Sequence, residues 1–124
     1  MDINRPDVLA EVTAAFAHYE AALVGNDVAA LDALFWDSPH TLRYGVGENL
    51  YGIDAIRDYR NARPATGLAR TTLRTQITTY GDSFAATHIE FERAGNERIG
   101  RQTQTWVKLP QGWRVVSAHV SLMM

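Results

Sequence analysis

The chain has 124 residues, 46% of them hydrophobic and 21% charged, with a net charge of −2. That length supports one domain with a real core, and the composition is that of an ordinary globular protein. The charge offers no broad basic surface for nucleic acid, and the lack of cysteine excludes disulfides, thiolate metal sites and cysteine nucleophiles.

Met1 to Pro6 carries no apolar signal core, and no run approaches a membrane span, so a cytoplasmic protein without a membrane partner is expected. Asn4 is placed to cap a first helix, with Pro6 and Asp7 in its opening turn. Val8, Val12, Ala15, Phe16, Tyr19 and Leu23 recur at helical spacing and mark its buried stripe. Gly25-Asn26 ends that helix. Asp27 caps a second, whose apolar face is Val28, Leu31, Leu34 and Phe35. After the Asp37-Ser38-Pro39 break comes a short strand through Thr41 to Tyr44, then a Gly-rich bend holding Glu48, Asn49 and Tyr51. Gly52 and Asp54 open a third helix that Pro64 ends.

Beyond Gly67 the pattern changes to alternation. Leu68–Tyr80, Phe84–Arg93, Arg98–Leu109 and Trp113–Leu122 read as four strands joined by short turns, an antiparallel meander. The expected architecture is a single α+β domain over 1–124: about three N-terminal helices on one face of a curved, mainly antiparallel sheet. Apolar residues fall on both faces of the last strand, Val115 against Val116, Ala118, Val120 and Leu122. Both faces then need cover, which points to a homodimer.

Eleven of the twelve basic residues are arginine, whose planar fork grips carboxylates in a way lysine does not. Arg43 sits mid-strand, either at a solvated edge or paired inside. If it is buried, it requires Glu48 or a ligand carboxylate nearby. Arg60 and Arg63 share a helical face with Ile56, whereas Arg57 falls on the solvated side. Tyr19 is either a core aromatic or a hydroxyl donor inside a pocket. Gln102, Gln104 and Trp106 share one strand face, opposite Arg101, Thr103 and Thr105, and the pattern leaves open which is internal. His18, His40, His88 and His119 have no metal-ligand spacing, and no cofactor fingerprint is present, so neither metal nor cofactor is expected.

The element order is similar to the cone-shaped fold of nuclear transport factor 2, ketosteroid isomerase and SnoaL. Six segments carry a closer resemblance: Leu34-Phe-Trp36, Thr41-Leu-Arg-Tyr-Gly45, Glu48-Asn-Leu-Tyr-Gly52, Ala55-Ile-Arg-Asp-Tyr-Arg60, Gly100-Arg-Gln-Thr-Gln-Thr-Trp106 and Gly112 to Ser121. Through them nearly the whole chain resembles the AtzH-like family, which includes proteins of oxalurate catabolism. The resemblance implies a dimer with a small polar pocket at the cone mouth, and Tyr19 and Arg43 stand at the positions of the family's functional tyrosine and arginine. It implies a decarboxylating amidohydrolase that converts 1,3-dicarboxyurea to allophanate and carbon dioxide in cyanuric acid breakdown. The alternative it implies is an accessory subunit of a signature amidase.

A dicarboxylated urea is small, planar and doubly anionic, which suits several arginine forks. On this reading Arg43, with Arg60 or Arg63, orients the carboxylates and Tyr19 acts as general acid. Glu48 and His119 are further candidate contacts, and Gln104 and Trp106 would form the floor. An isomerase of the ketosteroid type would need Glu48, His88 or Glu90 as a base in an apolar pocket, which the arginine inventory disfavours.

Overall fold

Helical spacing fills the first half of the chain and alternation the second, and the fold keeps that division. A computed structural model describes residues 1–124. Its elements are α1 (Pro6–Val24), α2 (Val28–Leu34), β1 (Leu42–Tyr44), β2 (Asn49–Tyr51), α3 (Ile53–Ala62), β3 (Thr71–Tyr80), β4 (Phe84–Glu92), β5 (Gly100–Leu109) and β6 (Gly112–Leu122). No helix is long and apolar enough to cross a membrane.

The sheet has six strands in the order β2-β1-β6-β5-β4-β3. β3 to β6 form the antiparallel meander, and β1 adds to β6 in parallel before turning back as β2. That single parallel pairing decides where Arg43 points. Arg43 registers with Ala118, Ala118 with Gln104, and Gln104 with Thr87, all three neighbours being buried. Side chains in register share a sheet face, so Arg43 projects inward, towards the helices.

α1 lays Val8, Val12, Phe16, Tyr19, Ala22 and Leu23 on the sheet, and α2 adds Leu31 and Leu34. α3 contributes Ile53, Ile56 and Arg60 from one face. Asp27 caps α2 by accepting from the Ala30 N–H at 3.1 Å.

Four local expectations are corrected. Asn4 does not cap α1: it adopts φ 57°, and its side chain accepts from the Thr79 N–H at 2.8 Å, tying the N-terminus to β3. Asn49 to Tyr51 form a strand rather than a bend, because β1 offers an edge to pair with. The first meander strand begins at Thr71, not Leu68. Finally, the two-faced apolarity of β6 is largely dissolved by a β-bulge. The register shifts between Thr105 and Trp106, leaving Val116 as the extra residue, so Val115, Ala118 and Val120 all reach the inner face.

Gly100 is required by a close approach. A Cβ there would lie 2.2 Å from the Phe91 ring, which covers the glycine from the neighbouring strand. Gly100→Ala is therefore expected to lose about 1–3 kcal/mol in urea denaturation, since Phe91 is a packed core ring rather than a free side-chain end.

Candidate functional site

Between the three helices and the inner face of the sheet lies a cavity of about 250 Å³. α1 supplies Tyr19 and Leu23, β1 supplies Arg43, and the β1–β2 turn supplies Glu48. α3 contributes Tyr59, Arg60 and Arg63, while Arg70, Arg93 and Gln102 enter from the sheet side. Five arginines thus face a single carboxylate in the lining.

Three of these guanidinium groups are matched by carboxylates. Arg43 Nη1 donates to Glu48 Oε2 at 2.9 Å and its guanidinium lies 5.6 Å from the Tyr59 ring centre. Arg60 donates to Asp32 Oδ1 at 2.8 Å and stacks over Phe35 at 4.2 Å. Arg70, almost wholly buried, pairs with Glu20 on α1. Arg63 and Arg93 have no such partner: Arg63 Nε and Nη2 and Arg93 Nε are buried without any acceptor. The cavity therefore carries two uncompensated positive charges.

The electrostatics follow. Burial pushes the Arg63 guanidinium below its ordinary pKa, with the Arg43 charge adding to the effect. Arg93 is lowered by burial and then by Arg70. Burial also lowers Arg60, opposed by Asp32. For Glu48 burial works against the charge, but the Tyr59 hydroxyl, Arg43 and the Gly47 N–H together hold the carboxyl below its usual range. Tyr59 is raised by burial and by Glu48.

Of the residues singled out from sequence, Tyr19, Arg43, Glu48, Arg60 and Arg63 line the cavity together. Three do not. Gln104 and Trp106 lie beneath the floor in the core, where Trp106 Nε1 donates to Thr87 Oγ1 at 3.0 Å and Thr87 donates to Gln104 Oε1 at 3.3 Å. His119 sits on the outer face, its ring 5.6 Å from Tyr44, because it registers with Tyr44 rather than Arg43. Sequence reasoning missed Arg70, Arg93, Tyr59 and the carboxylates Glu20 and Asp32. One signal was present: Arg93 continues the inward alternation of Ala85, Thr87, Ile89 and Phe91.

The AtzH-like family model matches residues 1–124. The chain belongs to the AtzH-like family. A protein of unknown function from Pectobacterium atrosepticum is 62% identical, with a TM-score of 0.98 over 99% of this chain and 96% of that one. A cystatin-like fold protein from Burkholderia xenovorans is 46% identical, with a TM-score of 0.95 over 99% and 97%. An NTF2-like superfamily protein from Salmonella enterica, at 24% identity and a TM-score of 0.76 over 95% and 92%, shares the fold. No curated protein matches the chain. The cavity thus lies inside an NTF2-like fold, between its helices and its sheet.

The lowered Glu48 has a testable consequence. A carboxyl depressed in the folded state contributes stability above its unfolded pKa and loses it as pH falls through the folded value. The melting temperature is expected to drop more steeply below the ordinary carboxyl value of 4.5 in the wild type than in Glu48→Gln. Parallel curves would show that Glu48 is not held by Arg43 in solution.

Proposed function

We propose that this chain is a cofactor-free enzyme that decarboxylates 1,3-dicarboxyurea to allophanate, a step of cyanuric acid or related nitrogen catabolism. The observation that carries the reading is a tyrosine beside two arginines whose charges no carboxylate offsets. A buried guanidinium without an anion is costly, and a small dianion supplies the two missing negative charges. The volume, about 250 Å³, sits below the usual ~300–1,000 Å³ of drug-sized sites. It suits a small planar ligand.

In the proposed step the bond between the urea nitrogen and one carboxylate carbon breaks. Carbon dioxide leaves, the bonding electrons stay on nitrogen, and Tyr19 supplies the proton that completes the amine. Solvent then returns a proton to the tyrosinate. General-acid help of this kind contributes roughly 100- to 10,000-fold. A guanidinium clamped on the departing carboxylate would favour the substrate over the neutral product, so the tight grip belongs on the carboxylate that stays.

Purified protein added to enzymatically generated 1,3-dicarboxyurea is expected to accelerate allophanate formation beyond the spontaneous rate. Absence of acceleration, together with stable co-purification with a signature amidase, would instead make the chain an accessory subunit.

The reading includes a homodimer joined through the outer sheet face. Support comes from the exposed rings of Tyr51 and Phe84 on that face. Sedimentation equilibrium is expected to give twice the chain mass, and a monomer at micromolar concentration would remove this part of the proposal.

A further inference from the structure

We infer that Arg63, Arg93 and Gln102 form an anion subsite of their own, which captures a single carboxylate before Arg43 engages and holds the one that the reaction leaves in place. The second half of that statement rests on the proposed decarboxylation; the first does not.

The cavity wall still offers unmatched hydrogen-bonding groups. The buried polar atoms lining it that lack a partner are Arg63 Nε and Nη2, Arg93 Nε and Gln102 Nε2. Every one is a donor. The orientation of the Gln102 amide is fixed by chemistry, because its Oε1 accepts from two nitrogens of Arg70, each at 3.3 Å, and arginine has only donors to give. The amide nitrogen is therefore the group left over. A set of unmatched donors without an unmatched acceptor calls for an acceptor-only ligand, and a carboxylate is one.

Neighbouring groups keep the subsite in place without neutralising it. Phe91 carries the Arg70 and Arg93 guanidinium groups at 4.5 and 4.9 Å from its ring centre. Arg70 spends its charge on Glu20, which leaves Arg93 positioned and free. Arg63, the C-cap of α3, lines the same cavity as Arg93, and its charge is among those that lower Arg93. Arg43, whose charge also lowers Arg63, differs in kind, because Glu48 already occupies it at 2.9 Å. A lone carboxylate thus gains more from Arg63 and Arg93 than from Arg43, and only a second carboxylate needs to compete with Glu48. After loss of carbon dioxide the monoanionic product keeps just the first attachment, which favours its release.

The test maps anion binding on the folded protein by calorimetry at low salt, with acetate and malonate as probes. Acetate affinity is expected to fall about 10- to 100-fold in Arg63→Met and Arg93→Met, the worth of a charged hydrogen-bonded contact. It should stay within about threefold of wild type in Arg43→Met, whereas malonate affinity falls in all three variants. Arg93→Lys, which keeps the charge but not the fork, is expected to lie between. A readout free of folding effects uses the wild type: side-chain Nε–H resonances of Arg63 and Arg93 shift as acetate is added, and that of Arg43 does not. Acetate binding that tracks Arg43, or no binding of either anion at millimolar concentration, overturns the subsite. A negative decarboxylation assay beside a positive anion map would fail the proposed reaction and leave the subsite standing.

Discussion

Tyr19→Phe is expected to cut turnover of 1,3-dicarboxyurea roughly 100- to 10,000-fold while melting temperature and malonate affinity stay near wild type. The ring is a core member of α1, 6.2 Å from Phe16 and 6.4 Å from Phe35, and phenylalanine keeps that packing. Only the hydroxyl is lost. It lines the same cavity as Arg60, Arg63 and Arg93, so it is placed where a bound dianion would be held. The rival acid in the cavity is Tyr59, but burial and the adjacent Glu48 make its proton harder to release. Tyr59→Phe should accordingly act through Glu48 and Arg43 on substrate binding, raising KM more than it lowers kcat. Full turnover in Tyr19→Phe, or the larger kcat loss in Tyr59→Phe, would reassign the acid.

The residues that were legible from sequence are those whose position follows from local periodicity. The stripe on α1, the Asp27 cap and the meander depend on spacing within one element, and spacing is what a sequence displays directly. Arg43 was ambiguous because its orientation is set by a non-local event, the parallel pairing of β1 with β6 some seventy residues later. Alternation alone leaves either face available. The β6 bulge is similar: one extra residue inverts the phase of everything after it, and no local signal marked Val116 as that residue. Gln102, Gln104 and Trp106 share one strand face, and alternation does not say whether that face is internal; the structure turns it inward, but only Gln102 reaches the cavity, while the other two lie deeper in the sheet. The unpaired state of Arg63 and Arg93 was beyond sequence altogether, since it depends on which carboxylates α1 and α2 present. Glu20 reaches Arg70 and Asp32 reaches Arg60, and neither reaches the remaining two.

Trp106→Ala is expected to cost about 3–5 kcal/mol, a large part of the ~5–15 kcal/mol that holds a typical domain together. The side chain is fully buried, so truncation leaves a cavity that β4 and β6 cannot close without moving. It also removes the Nε1 donor to Thr87, at the start of a short relay that ends on Gln104. Trp106→Phe separates these contributions: it restores most of the ring volume but still strips Thr87 of its donor, and should cost about 1–3 kcal/mol. Urea denaturation measures both. The kinetic prediction is the sharper one, because a core residue and a substrate contact fail differently. Whatever fraction of Trp106→Phe is folded should show wild-type KM, since the indole lies under the floor and touches no lining donor. A raised KM with unchanged stability would bring Trp106 back into the binding surface, and would mean that the floor opens in solution far enough to expose it.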